Sequence, residues 1–143
     1  MPSLCDVNFL VPVCYGHHVF HAGALRWLAS HSQAGEFVVC RASQLNLLRL
    51  LNNPAAMRED VLTVDQAWQV FDALMRDDRF AFAVEPPGLE AVLRRLMRGA
   101  AFSPKRWQDA YLAAFAIAAR LSLVTFDAAF RRCDGLDVAL LAP

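Results

Sequence analysis

The chain has 143 residues, 57% of them hydrophobic, and its formal net charge at pH 7 is zero. This length and composition predict a single domain, residues 1–143, with one substantial core. The neutral balance gives no support for a protein that coats nucleic acid through its overall charge.

The cysteines and the apolar segments argue against further classes of protein. The four cysteines form no C-x-x-C pair, which argues against a zinc ribbon or a redox pair and for reduced, mostly buried thiols. No apolar run reaches the ~18 residues of a membrane span, because even residues 110–119 are followed by Arg120. The first residues lack the basic and long apolar segments of a signal peptide. We therefore expect a cytoplasmic protein.

Apolar periodicity and turn residues predict the secondary structure along the chain. The predicted elements, in chain order, are a strand over 3–7, a helix beginning in the apolar stretch up to 14, a helix over 19–31, a strand over 36–40, a helix over 42–52, a helix opened by the capping-box pattern Thr63 to Gln66, a strand over 79–84, a helix over 89–99, a helix up to about 120, a strand over 121–126, a short helix over 128–132 and a strand over 138–141. Ser103 and Pro104 are expected to be the N-cap and first residue of the helix that ends near residue 120.

The order and composition of these elements indicate the fold class. Helices separate the strands, and the strand sequences are apolar throughout rather than alternating. Both features are typical of a parallel sheet that is covered on both faces. We therefore predict a three-layer α/β/α domain with a central parallel sheet of four to five strands.

Three aspartates lie in apolar surroundings, where a lone carboxylate is costly unless it is paired or binds a metal ion. Asp6 and Asp127 lie at the ends of predicted strands, and Asp109 lies in the first turns of a strongly apolar helix. In an open parallel sheet, ligands bind beyond the carboxyl ends of the strands. The three carboxylates are therefore expected to converge there as oxygen ligands for a hard divalent cation.

Each of these polar residues also has an ordinary structural explanation. Asp127 fits the N-cap of the short helix that follows it, and Asp109 fits a favourable interaction with its helix dipole. Asn8 either orients Asp6 or a metal-bound water, or forms a turn. Thr125 is either a hydroxyl donor to the site or an ordinary β-branched strand residue. The sequence leaves both interpretations open for each residue.

The combined motifs resemble those of a PIN-domain ribonuclease, and more narrowly the VapC toxins of bacterial type II toxin–antitoxin modules. The resemblance rests on Asp6-Val7-Asn8-Phe9-Leu10, on Trp107 to Ala116, and on Leu123-Val124-Thr125-Phe126-Asp127. It covers essentially the whole chain in the right order. It implies a PIN-like fold, a homodimer and a VapB-like antitoxin whose C-terminal segment lies across the active-site groove.

The resemblance also implies hydrolysis of RNA by an acidic quartet that requires Mg²⁺ or Mn²⁺. By motif, Asp6, Asp109 and Asp127 are three of its members and are expected to be catalytic residues and metal ligands. The second member is usually a glutamate on the helix after the second strand, where this chain has Gln44. Gln44 is therefore expected to be an auxiliary polar member of the catalytic site, whose amide oxygen can ligate weakly or hold a metal-bound water. An amide oxygen brings no charge, so one strongly bound metal ion is expected. The missing carboxylate also supports a rival function, a non-catalytic PIN-like module that binds RNA or a protein.

Residues just before Asp109 are candidates for substrate binding. Lys105 and Arg106 have the charge to hold a phosphate, and Trp107 has the ring to stack a base beside the metal ion. Trp107 also fits an ordinary core position.

A histidine cluster raises the alternative of a zinc site elsewhere. His17 and His21 form an i,i+4 pair beside His18. No fourth ligand is evident, so this alternative is the weaker one.

Overall fold

The computed structural model describes residues 1–143 and contains five strands and seven α-helices. The strands are β1 (Ser3–Cys5), β2 (Phe37–Val39), β3 (Phe80–Phe82), β4 (Ser122–Thr125) and β5 (Val138–Leu140). The helices are α1 (Val7–Cys14), α2 (His21–Ala29), α3 (Arg41–Leu51), α4 (Pro54–Met57), α5 (Val64–Met75), α6 (Leu89–Met97) and α7 (Arg106–Ala119). Two 3₁₀ turns, Arg58–Asp60 and Ala128–Arg132, complete the regular structure. No helix is long and apolar enough to cross a bilayer.

The five strands form one parallel sheet in the order β3-β2-β1-β4-β5. The chain builds the sheet outward from β1 to β3 on one side, and then adds β4 and β5 on the other. The order therefore reverses between β1 and β4, and a crevice opens beyond the carboxyl ends of strands at such a point. The predicted α/β class and the parallel sheet of four to five strands are confirmed.

Helices cover both faces of the sheet, which produces the three predicted layers. One hydrophobic cluster joins α1, α2, α3 and α5 to the sheet and includes Phe9 and Phe37. The other joins α6 and α7 to the opposite face and includes Phe115 and Leu123. Successive strand residues point to opposite faces, so both sets must be apolar. This explains why the strand sequences are apolar throughout.

Two local predictions were wrong or incomplete. The helix expected to begin at Ser103 and Pro104 begins at Arg106, because the Arg106 N–H donates to the Ser103 carbonyl across a turn that precedes the helix. Lys105 occupies the N-cap position and makes no side-chain capping bond. The short helix α4, whose N-cap is Asn53, was not predicted. The capping box that opens α5 is confirmed, with both of its hydrogen bonds formed.

Candidate active site

Two of the three aspartates reach the same edge of the sheet because β1 and β4 are neighbours. Asp6 directly follows β1, and Asp127 lies two positions after the last residue of β4. The strands are in register with Cys5 beside Val124. The Asp6 N–H then donates to the Val124 carbonyl at 3.1 Å, which continues the pairing by one residue. Both carboxylates therefore lie at the switch point of the sheet.

The Asp6 carboxylate is buried, with 6% of the residue exposed. Its Oδ2 accepts a hydrogen bond from Thr125 Oγ1 at 2.9 Å. Burial raises the pKa of this carboxyl above its usual value, and the charge of Asp109 raises it further. The hydrogen bond from Thr125 and the positive charge of Lys105 act in the opposite direction. The balance favours a cation beside Asp6, because burial makes its uncompensated charge costly.

Thr125 and Asn8 form a polar network that positions Asp6. Thr125 is fully buried, and its Oγ1 lies 2.9 Å from Asp6 Oδ2 and 3.1 Å from Asn8 Oδ1. A hydroxyl has one proton, and the bond to a charged carboxylate is the stronger one. The same Oγ1 accepts from the Asp127 N–H at 3.0 Å, and Asn8 Oδ1 accepts from the Phe126 N–H at 3.1 Å. No hydrogen bond joins Asn8 to Asp6, and Asn8 instead fixes the backbone that follows Thr125.

The two oxygens of Asp127 have different partners. Oδ1 accepts from the Ala129 N–H at 2.9 Å and caps the 3₁₀ turn, so the capping explanation is confirmed. Oδ2 accepts from Lys105 Nζ at 2.7 Å. That hydrogen bond is the main cause of a lowered Asp127 pKa. Capping therefore accounts for only one of the two carboxylate oxygens.

Asp109 is the fourth residue of α7 and faces the same group of charges. Its Oδ2 lies 3.7 Å from Lys105 Nζ. Partial burial raises the pKa of Asp109, Lys105 lowers it, and the charge of Asp127 raises it again. Three carboxylates and one ammonium leave two negative charges in this region, formed by residues from β1, α7, β4 and their flanks.

The donor set fits a hard divalent cation in ligand type and in charge. As the side chains stand, no three histidine, cysteine or acidic residues are gathered closely enough to hold a metal ion. The reason is visible in the contacts, since Lys105 already bridges Asp109 and Asp127. The ammonium of Lys105 therefore lies between two of the carboxylates. Carboxylate oxygens are also the ligands that Mg²⁺ prefers.

Gln44 is not brought into contact with the aspartates. It is 5% exposed, and its Oε1 accepts from an Nη1 of Arg41, whose guanidinium lies over the Phe82 ring. The preceding residue, Ser43, donates to the Cys5 carbonyl at 2.7 Å. Gln44 thus lies beside the end of β1, but its amide oxygen is bonded to a guanidinium. Its role in the site stays a prediction.

A groove of ≈ 680 Å³ opens beside the acidic residues. Lys105, Asp109 and Asp127 line it. Its basic lining residues, Lys105 aside, are Arg95, Arg106 and Arg132. Arg95 was missed at the sequence level, because an exposed arginine on an amphipathic helix looks like any solvated position. Basic and acidic residues from separate elements thus share one groove, which Asp134 also lines.

Trp107 and the histidines also have defined positions. Trp107 is 58% exposed, so the core interpretation of this residue was wrong. His17 lies 3.2 Å from Asp60, whereas His21 Nδ1 lies 2.6 Å from the Pro12 carbonyl. The histidines have separate partners, and no zinc site forms.

A PIN domain family model matches residues 3–136 of the chain. Ribonuclease VapC41 of Mycobacterium tuberculosis is 41% identical over 143 residues, covering 97% of this chain and 98% of that protein. The chain belongs to the PIN-domain family, among the VapC ribonucleases. The resemblance inferred from the three aspartate motifs is confirmed.

Solved VapC structures share the fold. VapBC2 from Rickettsia felis, bound to a DNA fragment from its promoter, superposes with a TM-score of 0.69 at 16% identity, covering 98% of each chain. VapC20 of Mycobacterium tuberculosis, described as a sarcin-ricin loop cleaving toxin, gives a TM-score of 0.66 at 18% identity, covering 90% of this chain and 92% of that one. At these identities the VapC fold is shared although most side chains differ.

Proposed function

We propose that this VapC-family chain is a divalent-metal-dependent endoribonuclease that acts as the toxin of a toxin–antitoxin pair. The observation that carries the proposal is the convergence of Asp6, Asp109 and Asp127 around one ammonium group at the carboxyl edge of the sheet. The membership in the VapC ribonucleases and the basic groove beside the carboxylates support it.

Asp6, Asp109 and Asp127 would hold Mg²⁺ or Mn²⁺, which supplies an activated water and neutralises charge that develops on the phosphate. Thr125 fixes the direction of the Asp6 carboxylate through its hydroxyl, and Asn8 accepts from the Phe126 N–H and so holds the backbone after Thr125. Such supporting bonds keep a reacting group in its productive orientation. Asp6, Asp109, Asp127 and Lys105 together carry a net charge of minus two, which a single divalent ion balances.

The groove provides the substrate-binding surface of the proposed enzyme. Lys105 and Arg106 line it next to Asp109, where their charges can hold a backbone phosphate of RNA. The exposed ring of Trp107 does not line this groove but a neighbouring pocket with Arg94 and Arg98, where it offers a stacking surface for an unpaired base. We expect cleavage in single-stranded or looped segments, because splayed bases are accessible to such stacking.

The proposed partners are a VapB-like antitoxin and a second copy of the chain. The Rickettsia felis structure is of a VapBC complex, which supports an antitoxin partner for this chain as well. An antitoxin segment that lies across the groove would bring a basic side chain to the excess negative charge around Asp6 and Asp109. A neutral toxin can therefore bind RNA and antitoxin at the same face.

The test is cleavage of a structured RNA by the purified chain. We expect cutting with Mg²⁺ or Mn²⁺ and none in excess chelator. Asp6→Asn, Asp109→Asn and Asp127→Asn should each lower the cleavage rate at least about 100-fold, because each removes a charged metal ligand. Asp72→Asn is the matched control, since Asp72 is exposed on α5.

Two results would contradict the proposal. Undiminished cleavage in chelator would exclude the metal mechanism. Binding of RNA without cleavage at any metal concentration would favour the non-catalytic module, which the uncharged Gln44 also supports.

A further inference from the structure

Lys105 is the only lysine in a chain whose other basic residues, apart from the histidines, are arginines. Its side chain is 63% exposed, yet its Nζ lies 2.7 Å from Asp127 Oδ2 and 3.7 Å from Asp109 Oδ2. No other ion pair in the structure involves either aspartate. The ammonium therefore neutralises part of the acidic site from within the chain.

The contacts of Asp127 leave no oxygen without a partner. Oδ1 is fixed by the Ala129 N–H, and Oδ2 by Lys105 Nζ. A divalent ion that uses Oδ2 must lie at about 2.0–2.1 Å from that oxygen if it is Mg²⁺. An ammonium group 2.7 Å from the same oxygen would then be close to the ion, and the two positive charges repel.

We propose that Lys105 is an internal competitor for the divalent metal ion: its ammonium holds Asp109 and Asp127 in the metal-free protein and leaves Asp127 when the ion binds. The inference rests on the proposed metal-dependent function. It explains why the carboxylates converge without forming a ready metal cage. The released Nζ stays at the groove beside Arg106, where it can meet a phosphate.

The first test measures metal affinity by isothermal titration calorimetry with Mn²⁺ and with Mg²⁺. Lys105→Gln should lower the dissociation constant roughly tenfold, because it frees two carboxylates and removes a nearby positive charge. Lys105→Arg retains the charge and should stay close to the wild type. Arg94→Gln removes the same charge from an exposed i,i+4 pair with Glu90 and serves as the matched control. Equal or weaker binding by Lys105→Gln would overturn the proposal.

The second test uses the wild-type protein, so it does not depend on how any variant folds. Selective ¹³C labelling of lysine yields one ε-methylene signal, because the chain has one lysine. During a Mg²⁺ titration this signal should move toward that of a free, solvated lysine. The Mg²⁺ concentration at half of this change should agree with the dissociation constant measured by calorimetry. A signal that does not move at saturating Mg²⁺ would show that the ammonium is not displaced.

Failure of this inference can be distinguished from failure of the proposed function. If the wild type binds Mg²⁺ or Mn²⁺ and Lys105→Gln binds it equally, only the competitor role is wrong. If neither protein binds either ion, the metal-dependent function and the competitor role are both wrong. Binding that appears only in Lys105→Gln would support the competitor role in its strongest form.

Discussion

Two ion pairs at opposite edges of the sheet resemble each other in distance and differ in their surroundings. At the amino end of β3, Arg79 Nη2 donates to Asp77 Oδ2 at 2.6 Å. The Arg79 Nη1 also donates to the carbonyls of Leu28 and His31, at 2.9 and 3.1 Å. The guanidinium thus ties the end of α2 to the segment that leads into β3. Its contacts hold both charges of the pair in place, although Asp78 and Glu36 also act on the guanidinium and raise its pKa.

The pair at the carboxyl edge, Lys105 with Asp127, has an ammonium that is 63% exposed and makes no hydrogen bond to backbone carbonyls. Asp109 and Asp6 add two further carboxylates around one exposed ammonium. Arg79 lowers the pKa of Asp77, whereas burial raises the pKa values of Asp6 and Asp109. In a structural ion pair the two partners neutralise each other, whereas a functional cluster retains charge for a ligand.

The largest effect on stability is expected at the pair of Arg79 and Asp77. Arg79→Ala removes five side-chain hydrogen-bond donations, three to Asp77 and two to backbone carbonyls, and should lower the free energy of unfolding by about 2–3 kcal/mol. Lys105→Ala, at the exposed pair, should change it by less than about 1 kcal/mol. Urea titrations of both metal-free variants measure the difference. Equal losses for the two would contradict the distinction between the pairs.

The pH dependence of stability should have one sign for Asp77 and the opposite sign for Asp6 and Asp109. The Asp77 pKa is below its ordinary value of 3.8, so its stabilisation is present above that pH and is lost as pH falls through the folded-state pKa. The Asp6 and Asp109 pKa values are raised, so these groups reduce stability as pH rises from 3.8 through their folded-state pKa values.

Metal-free unfolding titrations between about pH 3 and pH 7 test this sign. Asp77→Asn should flatten the loss of stability toward low pH, and Asp109→Asn should flatten the loss toward high pH. The same slope for both variants would show that the two edges do not differ electrostatically.

A smaller effect is expected from Asp109→Asn near pH 7 without metal. The substitution relieves repulsion among the carboxylates and should leave stability unchanged or raise it by about 0.5–1 kcal/mol, since Lys105 already offsets part of the repulsion. A loss of about 0.3–1 kcal/mol would be expected if Asp109 only interacted with the helix dipole. Urea titration at constant pH distinguishes the two signs.

The smallest effect is expected from Gln44→Glu. A new carboxylate should tighten divalent-ion binding, but Arg41 already bonds to this side chain and would neutralise much of its charge. We expect the dissociation constant to fall by about two- to threefold. Calorimetry on Gln44→Glu and on Arg41→Gln/Gln44→Glu measures the effect, and the double variant should bind more tightly than the single one. No gain in either would show that residue 44 does not act on the site.

Much of the fold was accessible from the sequence, because the elements follow from local pattern. The apolar strands, the helical spacing and the capping box at Thr63 are local signals, and each corresponds to an observed element. The convergence of Asp6 with Asp127 required only that β1 and β4 be neighbours. The neighbouring positions of β1 and β4 were expected from the fold class and not from any single sequence segment.

The remaining features depend on contacts between distant residues. Lys105 contacts Asp127 across 22 positions, and no spacing rule predicts that an exposed lysine turns toward one carboxylate rather than toward water. The start of α7 was misplaced for a related reason, because Ser103 and Pro104 carry a good capping signal that a preceding turn overrides. The bond between Gln44 and Arg41 was also not predicted, although it joins residues only three positions apart on α3.

The hydrogen bond between Thr125 and Asp6 has a consequence for when the acidic site can form during synthesis. It joins residues 119 positions apart, and β4 pairs directly with β1. During synthesis the first strand and Asp6 leave the ribosome long before β4 exists, and domains fold as units once their segments are available. The acidic site is therefore assembled only after almost the whole chain has been translated. An incomplete chain therefore lacks the carboxylate geometry of the proposed nuclease site, however much of β1 has already been made.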